Sequence, residues 1–435
     1  MAGLISRYAL ALMEKRGNAH NTRLWVSFDA PHLGANIPIG DQWFLNYMAP
    51  VSKGSRDARN KQINSPAARQ MLVHHYLSNS QTVAGSPNYR DRFKTALETN
   101  GLPNTMGFPS SAIRKIALIN GSQNGVLQPT GSACGTAFDL EVKKTVLSRV
   151  LLLWWLNSSV TSKFIATHVA FAPSADNVCK VFEGTSYGPF GIGIPGRDRY
   201  AKAINSGASI DLAPGGTYDS QGIIRDEAND MGGRALMKTS FSNLVENHSF
   251  IPTKSALAYK WNNQANVGNW GENLSNRNLF CSGEIPFDAY YAPAQNEEHV
   301  LLSEAGANFV TKEIDGIISI KLGNYGATIA GPDNMCASAS YQLNGLPSGA
   351  TASWKVSPTN LFTVSTGTGT MANLQKASAS STSQATITFT ISGKCGNESI
   401  SKTITLGSSN TAFISNPYDL SCYCQIYGPE TGKTY

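Results

Sequence analysis

The sequence predicts a mixed α/β domain over residues 1–317, carrying a helical cap and a long insertion, then an all-β sandwich over 325–410 and a tail over 411–435. Three observations support this. A helical apolar pattern at the amino end runs directly into a β-branched strand, the alternation that builds layered α/β folds. The same strand, loop and helix rhythm returns across residues 285–317. Beyond Asp315 and Gly316 the text turns to Ser, Thr, Gly and Ala with apolar residues at alternate positions, the pattern of half-buried antiparallel strands. With 435 residues and 41% apolar composition, the chain can fill one large core and a second, smaller one.

Leu4, Ile5, Tyr8, Ala9, Leu12 and Met13 recur at helical spacing, and Gly17 suits the left-handed position that ends a helix. No capping residue precedes this helix, so partners for its first amides are expected from chain before Met1. Residues 22–28 read as a strand ending in the turn Asp29-Ala-Pro-His-Leu-Gly34. The cap, 38–110, is helical and polar, with Ser65 followed by Pro66 opening a helix expected to reach Tyr76. A short strand over 113–119 then runs into the glycine-bounded loop 120–125.

The insertion, 126–280, mixes strand-like pieces such as 164–171 with Gly-rich loops such as 184–196. Its apolar run 150–156 reads as a buried strand or helix segment, far short of the roughly 20 residues that cross a bilayer. Residues 285–291 read as a last strand, followed by a loop through His299 and a closing helix over 304–317. In the sandwich, 385–391 and 399–406 alternate most clearly.

Composition excludes several functions. The net charge of +6 is scattered with no basic block, so no nucleic-acid partner is expected. No transmembrane segment is visible, and the amino end, helical with an early Arg7, is no signal peptide. The seven cysteines form no paired C-x-x-C knuckles, and neither a metal nor a cofactor motif is present. Their connectivity is open, except that Cys336 and Cys395 share the sandwich.

The segment Met1-Ala-Gly-Leu-Ile-Ser-Arg-Tyr-Ala-Leu10 resembles the helix after the nucleophile elbow of lipases and related esterases of the α/β-hydrolase family. There the text runs Gly-x-Ser-Met-Gly-Gly into an apolar helix containing Arg-Tyr; Ala2 and Gly3 supply the small residues that close packing requires. Phe28-Asp-Ala-Pro-His-Leu-Gly-Ala35 resembles the loop after the next strand, and Ser249-Phe-Ile-Pro-Thr-Lys-Ser-Ala-Leu257 the Val-Pro-x-x-Ser-Ala segment of such lipases. The resemblance covers residues 1–317 patchily. It implies an incomplete α/β-hydrolase sheet, a carboxylic ester substrate, small or lipid, and an acyl-enzyme mechanism whose serine lies immediately before Met1.

Family order is serine, acid, histidine, with the histidine between the last strand and the last helix; His299 has that place. The loop after residue 119 offers no carboxylate, so the acid is sought among Asp211, Glu246 and Asp288, with Asp211 preferred. His32 reads as shaping a turn, and His248 stands where related lipases carry an Asp-Gly pair. The backbone amide of Met1 would form part of the oxyanion hole in an extended chain. Without the serine, the chain as given is expected to be inactive. A different class remains: a secreted or cell-surface binding or adhesion protein whose hydrolase-like body has lost its chemistry.

Cys336, the run Leu343-Asn-Gly-Leu-Pro-Ser-Gly-Ala350 and Trp354 resemble the immunoglobulin-like or PKD-like sandwiches appended to secreted bacterial enzymes. That resemblance implies export of the intact protein, a Cys336–Cys395 bridge and a surface able to contact carbohydrate or a cell surface.

Overall fold

The computed structural model describes residues 2–78, 85–129, 131–149, 157–175, 177–187, 193–196, 198–203, 207–220, 222, 224–226, 237–260, 268–275, 277–316, 327–346, 350–377, 383–393 and 395–407. The chain is mixed α/β and divides into two compact units, the first formed by Met1–Ser275 with Ile285–Ser319, the second by Asn276–Glu284 with Ile320–Tyr435.

The first unit is organised by a parallel sheet in the order β1 (Leu24–Phe28), β2 (Arg114–Leu118), β11 (Ala289–Tyr291). β2 is central, and Ile116, Ala117, Leu118 and Ile119 are all buried, as a continuous apolar run in a parallel sheet should be. Helix α1 (Ala2–Lys15) packs its first turn on the strand end: a Cβ on Gly3 would lie 2.5 Å from that of Ala30. Its buried stripe is Leu4, Arg7 and Ala11, whereas Ile5 and Tyr8 are exposed, so the helix forms as expected but turns a different face inward. Arg7 is accommodated because its guanidinium lies over the Phe108 ring and donates to the carbonyls of Met106 and Gly107.

At the other end, helix α7 (Glu304–Ile314; α6 follows below) is capped by Ser303, whose oxygen accepts from the Gly306 amide. Arg114 on β2 grips Glu313 with two hydrogen bonds of 2.6 and 2.9 Å, and the Glu313 side chain is fully buried. Arg114→Met removes the guanidinium from a desolvated carboxylate and is expected to cost about 3 kcal/mol in a urea melt.

The cap comprises α2 (Ile39–Met48), α3 (Lys53–Asp57), a π-helical turn over Ala58–Ile63, α4 (Pro66–Met71) and α5 (Arg90–Thr99). Ser65 caps α4 through the Ala68 amide as its sequence indicates, but the helix stops at Met71. The insertion forms an antiparallel sheet in the order β6 (Gly193–Pro195), β5 (Val178–Tyr187), β4 (Asn157–Ala170), β3 (Thr136–Arg149), β9 (Met237–Ser242), with β7 (Arg199–Lys202) also on β5. Phe44 and Met48 of α2 share one core with Phe138, Leu140, Val169 and Phe182 of this sheet. A disulfide joins Cys134 to Cys179. The run 150–156 lies outside the described residues. A separate antiparallel pair, β8 (Gly215–Asp219) and β10 (Asn247–Pro252), leads into α6 (Thr253–Ala256).

The second unit holds a five-stranded sheet, β13 (Asn334–Met335), β19 (Gly396–Leu406), β18 (Ser383–Gly393), β15 (Thr351–Ser357), β16 (Thr366–Thr368), and a three-stranded one, β12 (Thr328–Ala330), β14 (Ser338–Asn344), β17 (Met371–Gln375). Alternate residues Trp354, Val356, Ile387, Phe389 and Ile391 enter its core, as the period of two requires. The bridge here is Cys281–Cys395, which corrects the expected Cys336–Cys395 pairing: the segment 277–284 joins this unit and brings Cys281 to Cys395. Cys422 and Cys424 lie outside the described residues. No helix among the described residues is long and apolar enough to cross a membrane.

Candidate active site

The carboxyl ends of parallel strands leave loops free to carry side chains, and β1, β2 and β11 each deliver one. Asp29 follows β1, and its amide still donates to the Leu118 carbonyl at 2.7 Å, continuing the ladder one residue past the strand. Its backbone then turns left-handed, with φ of 38°, which Asp tolerates better than most residues. Oδ2 of Asp29 lies 2.8 Å from Nδ1 of His299. Oδ1 accepts from the Asn120 amide at 3.3 Å. An ionised carboxylate can only accept, so against it Nδ1 of His299 is the donor, the tautomer that in a neutral ring leaves the lone pair on Nε2.

Asp29 is buried, and the His299 side chain is 23% exposed, so a fixed carboxylate stands behind an imidazole that reaches solvent. Burial pushes the Asp29 carboxyl above its ordinary range; the hydrogen bonds from His299 and the Asn120 amide act in the opposite direction.

The loop carrying His299 is fixed from two sides. The His299 amide donates to the Thr217 carbonyl at 2.9 Å, and the Thr217 amide to that of Glu297 at 2.8 Å. Asn120 donates through Nδ2 to the Leu301 carbonyl at 2.8 Å and to Glu297 Oε2 at 3.0 Å. Val300, next to His299, has φ of 57°, a strained conformation for a β-branched residue. The loop after Asp29 is tied to α6, where Ser255 accepts from the Leu33 amide and donates to the Gly34 carbonyl.

Gly216 lies directly against the pair. A Cβ there would come within 2.2 Å of Asp29 Oδ2 and 3.4 Å of the His299 Cα. Gly216→Ala is therefore expected to displace the carboxylate and lower any activity that depends on the pair by about 100-fold, read as kcat.

The carboxylate that meets His299 is thus Asp29 and not Asp211. Asp211 is buried with Oδ1 on Asn36 and Oδ2 on the Ala172 amide. Glu246 pairs with Arg225, and Asp288 accepts from the Lys115 amide. Met1 lies outside the described residues. His32 is buried against Trp25, Phe108 and Phe287, with Nε2 2.8 Å from Ser27 Oγ. Family chain order points to an acid after β2, where Asn120 stands, and so away from Asp29. The signal was present: a carboxylate placed at the end of a strand, in the turn Asp29-Ala-Pro-His-Leu-Gly34.

His248 is buried between Ser220 Oγ, 3.2 Å from Nδ1, and the Asn36 carbonyl, 3.3 Å from Nε2. Burial lowers it to about 4, with backbone acceptors at Asn36 and Tyr218 acting the other way. A lowered histidine contributes stability that is complete above its unfolded value near 6.5 and is lost as pH falls towards 4. The expected loss across that window is about 3 kcal/mol, and a His248→Gln variant should show a shallower fall in Tm over the same range.

Neither a scan of family models nor a search of curated proteins returns a match to this chain, so its chemistry rests on the geometry of Asp29, His299 and the residues around them.

Proposed function

We propose that the chain carries the general-base machinery of a lipase- or esterase-like serine hydrolase of the α/β-hydrolase type. The observation that supports this most directly is the 2.8 Å contact between Asp29 and His299, formed beyond the carboxyl ends of β1 and β11, the two parallel strands that flank β2. The first turn of α1 supports it further, because Gly3 packs on Ala30, the residue after Asp29. A serine at the amino end of α1 would stand on the same rim as the imidazole.

In this reading Nε2 of His299 takes the hydroxyl proton as the serine oxygen attacks the ester carbonyl. The proton then passes to the departing alcohol, and water resolves the acyl-enzyme by the same route. Asp29 holds the tautomer and stabilises the imidazolium. The two disulfides among the described residues suit an oxidising compartment, which supports an exported protein.

The test is to express the gene product with the residues encoded before Met1 and treat it with a fluorophosphonate. The proposal expects hydrolysis of p-nitrophenyl esters and a single labelled serine immediately before Met1. A product that is neither labelled nor active overturns it.

A further inference from the structure

Behind the Asp29–His299 pair lies a second polar cluster that the proposed chemistry leaves unused. Asn36, Asp41, Asp211, Ser220 and His248 are all buried. Asn36 is its hub: Nδ2 donates to Asp211 Oδ1 at 2.9 Å and to the Ser249 carbonyl at 3.0 Å. Its amide donates to the Phe250 carbonyl at 2.8 Å, and its own carbonyl accepts from His248 Nε2. Asp211 is held in turn by the Ala172 amide at 2.7 Å, so the Asn36 side chain is clamped against a fixed carboxylate. Burying carboxylates this deeply is costly, which makes it informative to ask what they hold in place.

They hold three consecutive residues of β10, His248, Ser249 and Phe250. The register of β10 on β8 shifts between Ser249 and Ile251, so Phe250 is a bulged residue with no partner in the ladder. Asn36 takes the carbonyl that the ladder leaves over. The Phe250 ring then stands edge-on to His299, with centroids 5.0 Å apart and planes at 78°, and leans on Tyr218 at 5.2 Å.

We infer that Asn36, clamped by Asp211, is a positioning residue for His299: it pins the β10 bulge so that the Phe250 ring holds the imidazole in line with Asp29. The inference rests on the reading of His299 as the proton carrier. Asp211 thereby acts on the site through Asn36 and not as the acid.

The test reads the His299 ring by long-range nitrogen–proton NMR correlation in this chain. The wild type is expected to show one tautomer, protonated at Nδ1, with a slowly exchanging proton that Asp29→Asn removes. Asn36→Ala and Phe250→Ala are each expected to replace it by a tautomer mixture, whereas Phe250→Tyr retains it. Phe250 is half-buried and decides the matter if Asn36→Ala fails to fold. An unchanged His299 signal in Phe250→Ala or in folded Asn36→Ala overturns the inference while leaving the Asp29–His299 pair intact. A wild type without the Asp29-dependent proton overturns both.

Discussion

Replacing Asp29 by Asn is expected to lower kcat of the proposed ester hydrolysis by about 10,000-fold while raising the Tm of the protein. The loss follows from hydrogen-bond polarity. Asn can turn an amide nitrogen towards Nδ1, which then accepts, moving the ring proton to Nε2 and leaving no base for the hydroxyl. The gain follows from burial, since an ionised Asp29 holds its charge in a buried site where, among the described residues, His299 and the Asn120 amide donate to it. Its folded value lies above the ordinary 3.8, so the native state binds this proton more tightly than the unfolded chain. The resulting destabilisation is present at neutral pH and disappears as pH falls through the folded value towards 3.8. The Tm advantage of Asp29→Asn should therefore be largest near neutrality and shrink on acidification. A variant that loses stability at pH 7 and keeps its turnover contradicts this account.

The second large effect belongs to the second unit. Cys281 and Cys395, 114 residues apart in sequence, close a long loop, and Cys281 together with Phe280 packs on the sandwich core. Cys395→Ser releases that segment and is expected to destabilise the second unit by about 2–5 kcal/mol, measured by calorimetry on non-reduced protein. Equal melting of wild type and Cys395→Ser would show that packing alone holds the segment.

The legible parts of the fold were those fixed by local pattern. The α1 helix, the β1 and β2 strands, the Ser65 start and the alternation of β18 and β19 all follow from spacing and capping chemistry. What escaped was set by long-range partners. The buried stripe of α1 is not legible in its apolar spacing, because Phe108 and the carbonyls of residues 106 and 107 make a buried Arg7 acceptable, a condition no helical pattern encodes. The Cys281–Cys395 bridge depends on a segment that joins the second unit from between two elements of the first.

At the candidate site, the position of His299 between last strand and closing helix was readable from chain order. The carboxylate that meets it was not, because β1 and β2 are neighbours and the structure places Asp29, after β1, against the His299 loop. The Asn36 hub is equally invisible in sequence, its contacts to Asp211, His248 and Ser249 spanning 175, 212 and 213 residues.

The most direct measurement is the steady-state rate of p-nitrophenyl ester hydrolysis by the gene product carrying the residues before Met1, compared with its His299→Ala variant. The account predicts that the variant folds, retains the Cys134–Cys179 and Cys281–Cys395 bridges and loses turnover by about 10,000-fold or more. A folded His299→Ala protein that hydrolyses the ester at the wild-type rate contradicts it.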